Sequence, residues 1–297
     1  MTAISKAYLG KPGNMRAFLA PPKGFDASPS RSDAAFALLS GGSAVFRNLN
    51  QKRKFTLPYD VAASPDADVL LGFYSGLYGL GPWCFVDPTT RNVLTLDVSS
   101  CGLRQQAAPG WVASAGTLPA TGATSGGPAG VDTGVLQWTS LAASATLQPG
   151  SVANTAPVTS APPYIAAEAV TVSVYMLASG ASSGHTLQLV GYDTNGAVLA
   201  TSATAAMSLT TSWQRFSVTI AIGAAAYASA FYVLPRIVLG ASVPTSVSIA
   251  GAQVEYGDTL TSWQPGFGSP RVVITDPPGR SISAPGYRNH TLVLGEV

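Results

Sequence analysis

From Val170 to Tyr256 apolar and polar residues alternate with period two, the mark of strands that bury one face and wet the other. In VTVSVYM, Val170, Val172, Val174 and Met176 share a face. TLQLVGYDTNGAVLATS reads as two strands joined at Asn195-Gly196, a dipeptide that favours a type I′ hairpin turn. SWQRFSVTIAI sends Phe216, Val218, Ile220 and Ile222 toward a core and Arg215, Ser217 and Thr219 toward water, and FYVLPRIVL and SVSIAGAQVEY add further strands. No helical period interrupts the series, so the segment predicts an antiparallel sandwich.

The N-terminal pattern is less regular. Ser43 to Asp60 alternates well enough for one long strand or a hairpin arm, with Phe55 and Leu57 on one face and Lys52, Lys54 and Thr56 on the other. A helix signal follows. Ser64 is a cap, Pro65 suits the first helical position, Asp66 and Asp68 complement the dipole, and Leu70, Phe73, Tyr74 and Leu77 recur at helical spacing until Gly76 and Gly79 end it. Trp83 to Val86 then form a short apolar strand between Pro-marked turns.

QVEYGDTLTSWQPGFGSP, from Gln253 to Pro270, has the form of a domain edge: a strand that breaks at Gly257 and runs out in Pro and Gly. Beyond it lie two β-like runs, Val272 to Thr275 and Thr291 to Leu294. Two strands are not stable alone, so they need partners from the N-terminal segment.

Charge supports that division. Residues 1–104 hold 11 Lys/Arg against 7 Asp/Glu and residues 271–297 hold 3 against 2, whereas 105–270 hold only Arg215 and Arg236 against Asp132, Glu168, Asp193, Glu255 and Asp258. The expected organisation is therefore one domain from 1–104 plus 269–297, interrupted by a sandwich at 105–268. The expected fold class is mainly β: an N-terminal β domain with one short helix, completed by the C-terminal strands, plus the inserted sandwich. Charged residues make up only 10% of the chain, with Gly, Ala, Ser, Thr and Val in excess.

Several chemistries find no support in the sequence. No apolar run reaches the roughly 18 residues of a membrane-spanning helix, and the N-terminus has no secretory leader pattern, so manufacture in the cytoplasm is expected. Cys84 and Cys101 lack zinc-site spacing and read as reduced, buried thiols. Lys52-Arg53-Lys54 alternates across a strand and reads as a solvated or subunit-facing patch, not a nucleic-acid site. GGSAVF and TSGGPAG lack the lysine of a phosphate loop. His185 and His290 fall one in each expected domain, and no motif fixes a carboxylate pair of the kind glycoside hydrolysis uses. No enzyme is expected.

The succession VTVSVYM, LVGYDTNGAVL, TTSWQRFSVTI and SIAGAQVEYGDTLTSWQPG resembles the jelly-roll carbohydrate-binding modules that recur in phage tail proteins. KFTLPYD, the short helix and GPWCFVDPTTRNVL, with closing C-terminal strands, resemble the distal tail and related minor tail proteins of siphophages infecting actinobacteria. The resemblance implies a virion component at the tail tip. Its N-terminal domain would assemble with copies of itself as a ring of about six, contacting the tail tube and other tail-tip proteins, while the jelly roll projects outward toward host cell-wall glycan. The alternative is a stand-alone lectin-like protein with no assembly role.

A sugar-binding sandwich needs aromatic platforms with amides and hydroxyls beside them. Trp111, Trp138, Tyr164 and Tyr192 are the candidates, and Trp213, out of phase with the core face of its strand, invites the same question. No cofactor is expected, although the oxygens of YDTNG are of the kind that structural calcium takes, as jelly rolls do elsewhere.

Overall fold

The structure is a computed structural model that describes residues 6–18, 26–30, 33–37, 43–47, 52–102, 110–120, 122–123, 125–150, 161–276, 281–284 and 287–297. The expected link between the Ser43 and Lys52 strands, the Gly41-Gly42 loop and the expected domain boundary at 104–105 lie outside the described residues.

In chain order, β1 (Ala7–Lys11), β2 (Asn14–Phe18), β3 (Asp26–Ser30), β4 (Asp33–Ala37) and β5 (Ser43–Arg47) precede the long β6 (Lys52–Ala63), which runs directly into α1 (Ser64–Tyr74). β7 (Trp83–Val86) and a single helical turn, α2 (Leu96–Ser99), come next. β8 (Trp111–Ala113), β9 (Val135–Thr139), β10 (Thr146–Pro149), β11 (Val170–Ala178), β12 (Ser182–Tyr192), β13 (Val198–Leu209), β14 (Gln214–Ile220), β15 (Tyr232–Val238) and β16 (Ser246–Tyr256) follow. β17 (Arg271–Asp276), β18 (Ser281–Ala284) and β19 (Tyr287–Glu296) close the chain.

Two compact units result. One is formed by Lys6–Gly10, Arg16–Phe85 and Pro270–Val297, the other mainly by Val86–Ser269. Charge density leaves 86–102 with the N-terminal segment, but these residues pack in the sandwich unit. Their polarity is spent locally: the buried Asp87 carboxylate accepts the Thr89 amide at 2.6 Å and the hydroxyls of Thr89 and Thr90 at 2.8 and 3.0 Å.

The discontinuous unit is an eight-stranded sheet in the order β2-β1-β7-β17-β19-β6-β3, with β18 beside β19. The C-terminal strands β17 and β19 lie side by side at its centre, flanked by strands from the N-terminal segment. Val272, Leu292 and Leu294 enter one core with Phe55, Leu57, Leu70, Phe73 and Phe85. The alternation of Phe55 and Leu57 against Lys52 and Lys54 follows from this packing, since the apolar pair is buried and the lysines are exposed. Arg53 is held in a bidentate pair with Glu296, at 2.9 and 3.2 Å. α1 buries Leu70 and Phe73 but ends at Tyr74, so Leu77, expected on the same apolar stripe, lies past the helix and is 75% exposed. Gly76 and Gly79 take φ of 80° and 84°, which lets the chain turn there.

The sandwich unit is a jelly-roll arrangement of antiparallel sheets, β13-β12-β15-β10-β8 facing β14-β11-β16-β9. Val170, Val172, Val174 and Met176 of β11 are fully buried, as are Leu187 and Leu189 of β12 and Ile237 of β15. Two expectations need correction. β14 is an edge strand that ends at Ile220, so Phe216 and Val218 are half-buried and Ile222 is 66% exposed in the turn beyond. The Asn195-Gly196 turn is not type I′, because only Gly196 has positive φ, at 82°. Asp193 instead pairs with Ala197, and its Oδ1 accepts the amides of Asn195 and Ala197, both at 2.8 Å, a longer loop with glycine at the left-handed position.

Candidate functional site

A sandwich has two outer faces, and in this unit they differ. On the four-stranded sheet, period two predicts that Ser173, Gln253 and Glu255 face solvent. They are instead 0%, 0% and 3% exposed, because the segment after β16 folds back across them. Thr261 is the pin. Its amide and hydroxyl donate to the two Glu255 carboxylate oxygens at 3.1 and 2.6 Å, and its hydroxyl accepts from Gln253 Nε2 at 3.0 Å. Arg215 donates from Nη1 to the Thr261 carbonyl at 2.6 Å and from Nη2 to Ser173 Oγ at 2.8 Å, with its guanidinium 5.2 Å above the Tyr175 ring. Asn92, 1% exposed, donates to the carbonyls of Ala252 and Gln264 and accepts the amides of Leu94 and Val254. This face is sealed at its centre, with Gln137, Ser217 and Thr219 left exposed at its margins.

The outer face of the five-stranded sheet is different. Gln188 stands opposite Arg236 and Thr186 opposite Val238 across the β12–β15 ladder, and Thr204 stands opposite Gln188 on β13. Thr204 is exposed, and Thr186, Gln188, Arg236, Val238 and Thr146 are half-buried, whereas their neighbours in sequence Leu187, Leu189 and Ile237 point into the core. At the centre, Arg236 Nε donates to Gln148 Oε1 at 2.7 Å, the Tyr192 hydroxyl donates to the same oxygen at 3.3 Å, and Arg236 Nη2 donates to the Tyr192 hydroxyl at 3.4 Å. Alternation puts Gln148 and Tyr192 on this same face, where they are buried beside the arginine, as are Val190 and Leu234, so the face is open only around Thr186, Gln188, Thr204 and Val238. Burial pushes the Tyr192 phenol above its ordinary range, against the opposing pull of Arg236, and it therefore remains a neutral donor at physiological pH.

The four aromatic candidates do not come together, and none exposes a ring face. Trp111 and Trp138 are 5% and 0% exposed, with their indole N–H groups donating to the carbonyls of Val98 and Ala115, both at 2.9 Å. Tyr164 is 4% exposed and packs 5.9 Å from the Tyr227 ring. A ring with no accessible face cannot serve as a sugar platform, so these three are packing residues. Tyr192 does sit at the open face, but contributes its hydroxyl and not its ring. Trp213 is half-buried and donates to the Gly126 carbonyl at 2.9 Å. Sequence reasoning missed Gln148, Gln188 and Arg236. Gln148 and Arg236 are 88 positions apart in sequence and meet only through strand order.

No protein-family model matches the chain, and no curated protein does. Among solved structures, the enzymatically active domain of tailspike protein 4 from bacteriophage CBA120 aligns with 55% of this chain at 9% identity and a TM-score of 0.39. The arabinose-bound MgGH51 α-L-arabinofuranosidase aligns with 58% at 16% identity and a TM-score of 0.39. The CBM22-1 xylan-binding domain of Paenibacillus barcinonensis Xyn10C aligns with 54% of this chain and 93% of its own, at 14% identity and a TM-score of 0.37. The chain spans 21% of the tailspike domain and 27% of the arabinofuranosidase. At such scores these likenesses carry no argument about function, which rests on the residues.

Ser182 and His185 form a contact that mimics a nucleophile and its base, with Oγ 2.7 Å from Nε2. Its polarity is wrong for that chemistry. His185 Nδ1 accepts the Gly240 amide at 3.0 Å, which places the ring proton on Nε2, and Nε2 then donates to Ser182, whose hydroxyl donates to the Ser242 carbonyl at 2.9 Å. A histidine in this tautomer cannot take the serine proton. Asp193, in the loop after β12, and Glu255, on β16, are likewise committed to local donors. Both cysteines are buried, and burial raises the Cys84 thiol and pushes Cys101 up to about 12. Among the described residues no three His, Cys, Asp or Glu side chains converge to hold a metal ion. None of the described helices is long and apolar enough to cross a membrane.

Burial lowers the His185 pKa below its ordinary value near 6.5. The unfolded chain therefore takes up this proton first on acidification. Above about pH 6.5 the residue leaves stability unchanged, and below it stability falls until the folded-state pKa is reached. The urea midpoint of the sandwich should drop between pH 6.5 and 5. His185→Gln should flatten that slope, and an identical slope in the variant would remove His185 as its source.

Proposed function

We propose that the chain is a tail-tip virion protein whose sandwich unit binds host-surface glycan on the open face of its five-stranded sheet. The observation that carries this reading is the contrast between the two outer faces. One is covered at its centre by its own chain, and the other carries half-exposed amide, hydroxyl and guanidinium groups beside the buried Gln148 and Tyr192. Such groups in one plane complement sugar hydroxyls, and the sheet fixes their spacing. Among the described residues of this face no ring is exposed for stacking, so affinity depends on polar contacts and is modest.

Tyr74, Leu77 and Leu80, exposed at 54%, 75% and 81%, favour the assembly half of the reading. A weakly charged chain that leaves three large apolar side chains in water beside one helix end is suited to pack against copies of itself. The resemblance to distal and minor tail proteins implies a ring, of about six copies, on the tail tube.

Two measurements test the halves separately. A bacterial-surface glycan array should retain the full chain, and Gln188→Ala, which removes a half-exposed amide, should weaken the best signal about three- to tenfold; retention by no glycan would sink the binding half. Mass photometry should show closed multiples of the 30.2 kDa chain that collapse to monomer in Leu77→Asp/Leu80→Asp. A wild-type monomer even when mixed with tail-tube protein would sink the assembly half.

A further inference from the structure

We infer that the free edge of β13 pairs with the same edge of a second copy of this chain, joining two sandwiches strand to strand about a two-fold axis through Ala206.

β13 ends the five-stranded sheet, with β12 on one side and, among the described residues, no hydrogen-bonded strand on the other. The Tyr227 hydroxyl donates to the Leu189 carbonyl at 2.6 Å and accepts the Ala203 amide at 3.0 Å; since Leu189 and Ala203 are opposite each other, Ala203 turns its amide toward β12. Backbone groups alternate in direction along a strand, so Ala203, Ala205 and Met207 face β12 while Thr204, Ala206 and Ser208 present their amides and carbonyls outward. All three outward residues are exposed.

Edges of this kind are ordinarily guarded by charge, proline, short length or a covering segment. In the three larger sheets the other edge strands follow that rule: β2 carries Arg16, β3 Asp26 and β14 Arg215, β8 and β18 have only three and four residues, and the outer edge of β9 is bonded by Thr117 and Ala123. β13 reads VLATSATAAMSL, with no charge and no proline.

The strand itself identifies the occupant. In an antiparallel pair centred on Ala206, Ala206 meets its own copy and Thr204 meets Ser208 of the second copy. Every outward residue finds an outward residue, and the three pairs exchange about six backbone hydrogen bonds. Thr opposite Ser is a favourable cross-strand pair, and no charge meets its like. Apolar side chains that this side of the sandwich leaves half-buried gain cover at the same time: Ala203 and Ala205 of β13, and Phe216 and Val218 of β14, the edge strand of the facing sheet. Because Ala206 meets itself, the axis stands perpendicular to the sheet, and the two open faces continue into one plane. That consequence rests on the glycan reading, whereas the pairing does not.

The test is sedimentation equilibrium of the full chain carrying Leu77→Asp/Leu80→Asp, which removes the contact assigned to the other unit. It should show a monomer–dimer equilibrium with a Kd of about 10–100 µM, in keeping with a small contact. Ala206→Pro, which deletes an outward amide and no bond to β12, should weaken dimerisation at least tenfold. Thr204→Lys/Ser208→Lys, which sets lysine against lysine, should do the same, whereas Thr204→Lys/Ser208→Glu, which sets each lysine against a glutamate of the second copy, should dimerise at least as well as the parent. Thermal unfolding of each variant controls for folding. Hydrogen exchange of the parent stands even if a variant unfolds: the Thr204, Ala206 and Ser208 amides should exchange severalfold more slowly at about 300 µM than at about 3 µM. A monomer at 300 µM with no such protection overturns the pairing, and so does a dimer that ignores Ala206→Pro or responds to the two charge variants alike. Dimerisation by a chain that no array glycan retains leaves the pairing standing and sinks only the glycan reading.

Discussion

Deleting Arg271–Val297 should unfold the discontinuous unit while leaving the sandwich unit folded. The deleted strands, β17 and β19, stand between β7 and β6 at the centre of the eight-stranded sheet. Their loss leaves β2-β1-β7 and β6-β3 as separate fragments with unpaired inner edges. It also removes Val272, Leu292 and Leu294, each fully buried against the core that holds Phe55, Leu57 and Phe85. At about 1.5–3 kcal/mol for each buried aliphatic side chain, the loss is comparable to the whole stability of an ordinary domain, about 5–15 kcal/mol. The Arg53–Glu296 pair goes with them, leaving a half-buried guanidinium without its bidentate partner. Limited proteolysis followed by mass spectrometry should return a resistant fragment close to 86–269 and small peptides from the remainder. A resistant fragment ending near Phe85 would show that the N-terminal strands fold without the C-terminal ones.

Asn92→Ala should destabilise the sandwich unit by about 3–4 kcal/mol, a large effect for one small polar residue. The side chain is buried and its four hydrogen bonds, at 2.8, 2.9, 3.2 and 3.2 Å, tie the strand-like stretch near Leu94 to β16 and to the folded-back segment at Gln264. Alanine would leave two carbonyls and two amides without these partners in a site closed to water. Asn92→Asp should be no better, because a carboxylate would face the Ala252 and Gln264 carbonyls that now accept from Nδ2. Urea unfolding monitored by tryptophan fluorescence measures the loss, with exposed Asn195→Ala as the comparison, expected to change stability by under about 1 kcal/mol. A change that small for Asn92→Ala would mean that the folded-back segment is held by other contacts.

The period-two pattern carried the β class and the core-facing residues of β11, because a strand with one buried face writes that face into alternate positions. It misled where both faces are covered. β16 reads as alternating, yet Gln253 and Glu255 are buried because Thr261 and Gln264 satisfy them, and nothing periodic announces a segment that folds back. A readable trace was the spacing itself: two polar residues two apart on a strand, followed within a dozen positions by the donors that bond them. The open face was less legible. Tyr192 drew attention as an aromatic, but its role depends on Gln148 and Arg236, each 44 positions away in opposite directions, and only strand order brings the three together. Trp111 and Trp138 attracted the sugar-platform reading by their chemistry alone, and burial of their rings removed it.

The open face of the five-stranded sheet can be tested directly by amide chemical-shift mapping of the full chain with its best-binding glycan. The largest shifts should fall at Gln188, Thr204 and Arg236, with smaller ones at the buried Gln148 and Tyr192 and none across β11 and β16. Shifts centred on the sealed face around Thr261 and Trp263, with the Arg236 face silent at saturation, would contradict this placement.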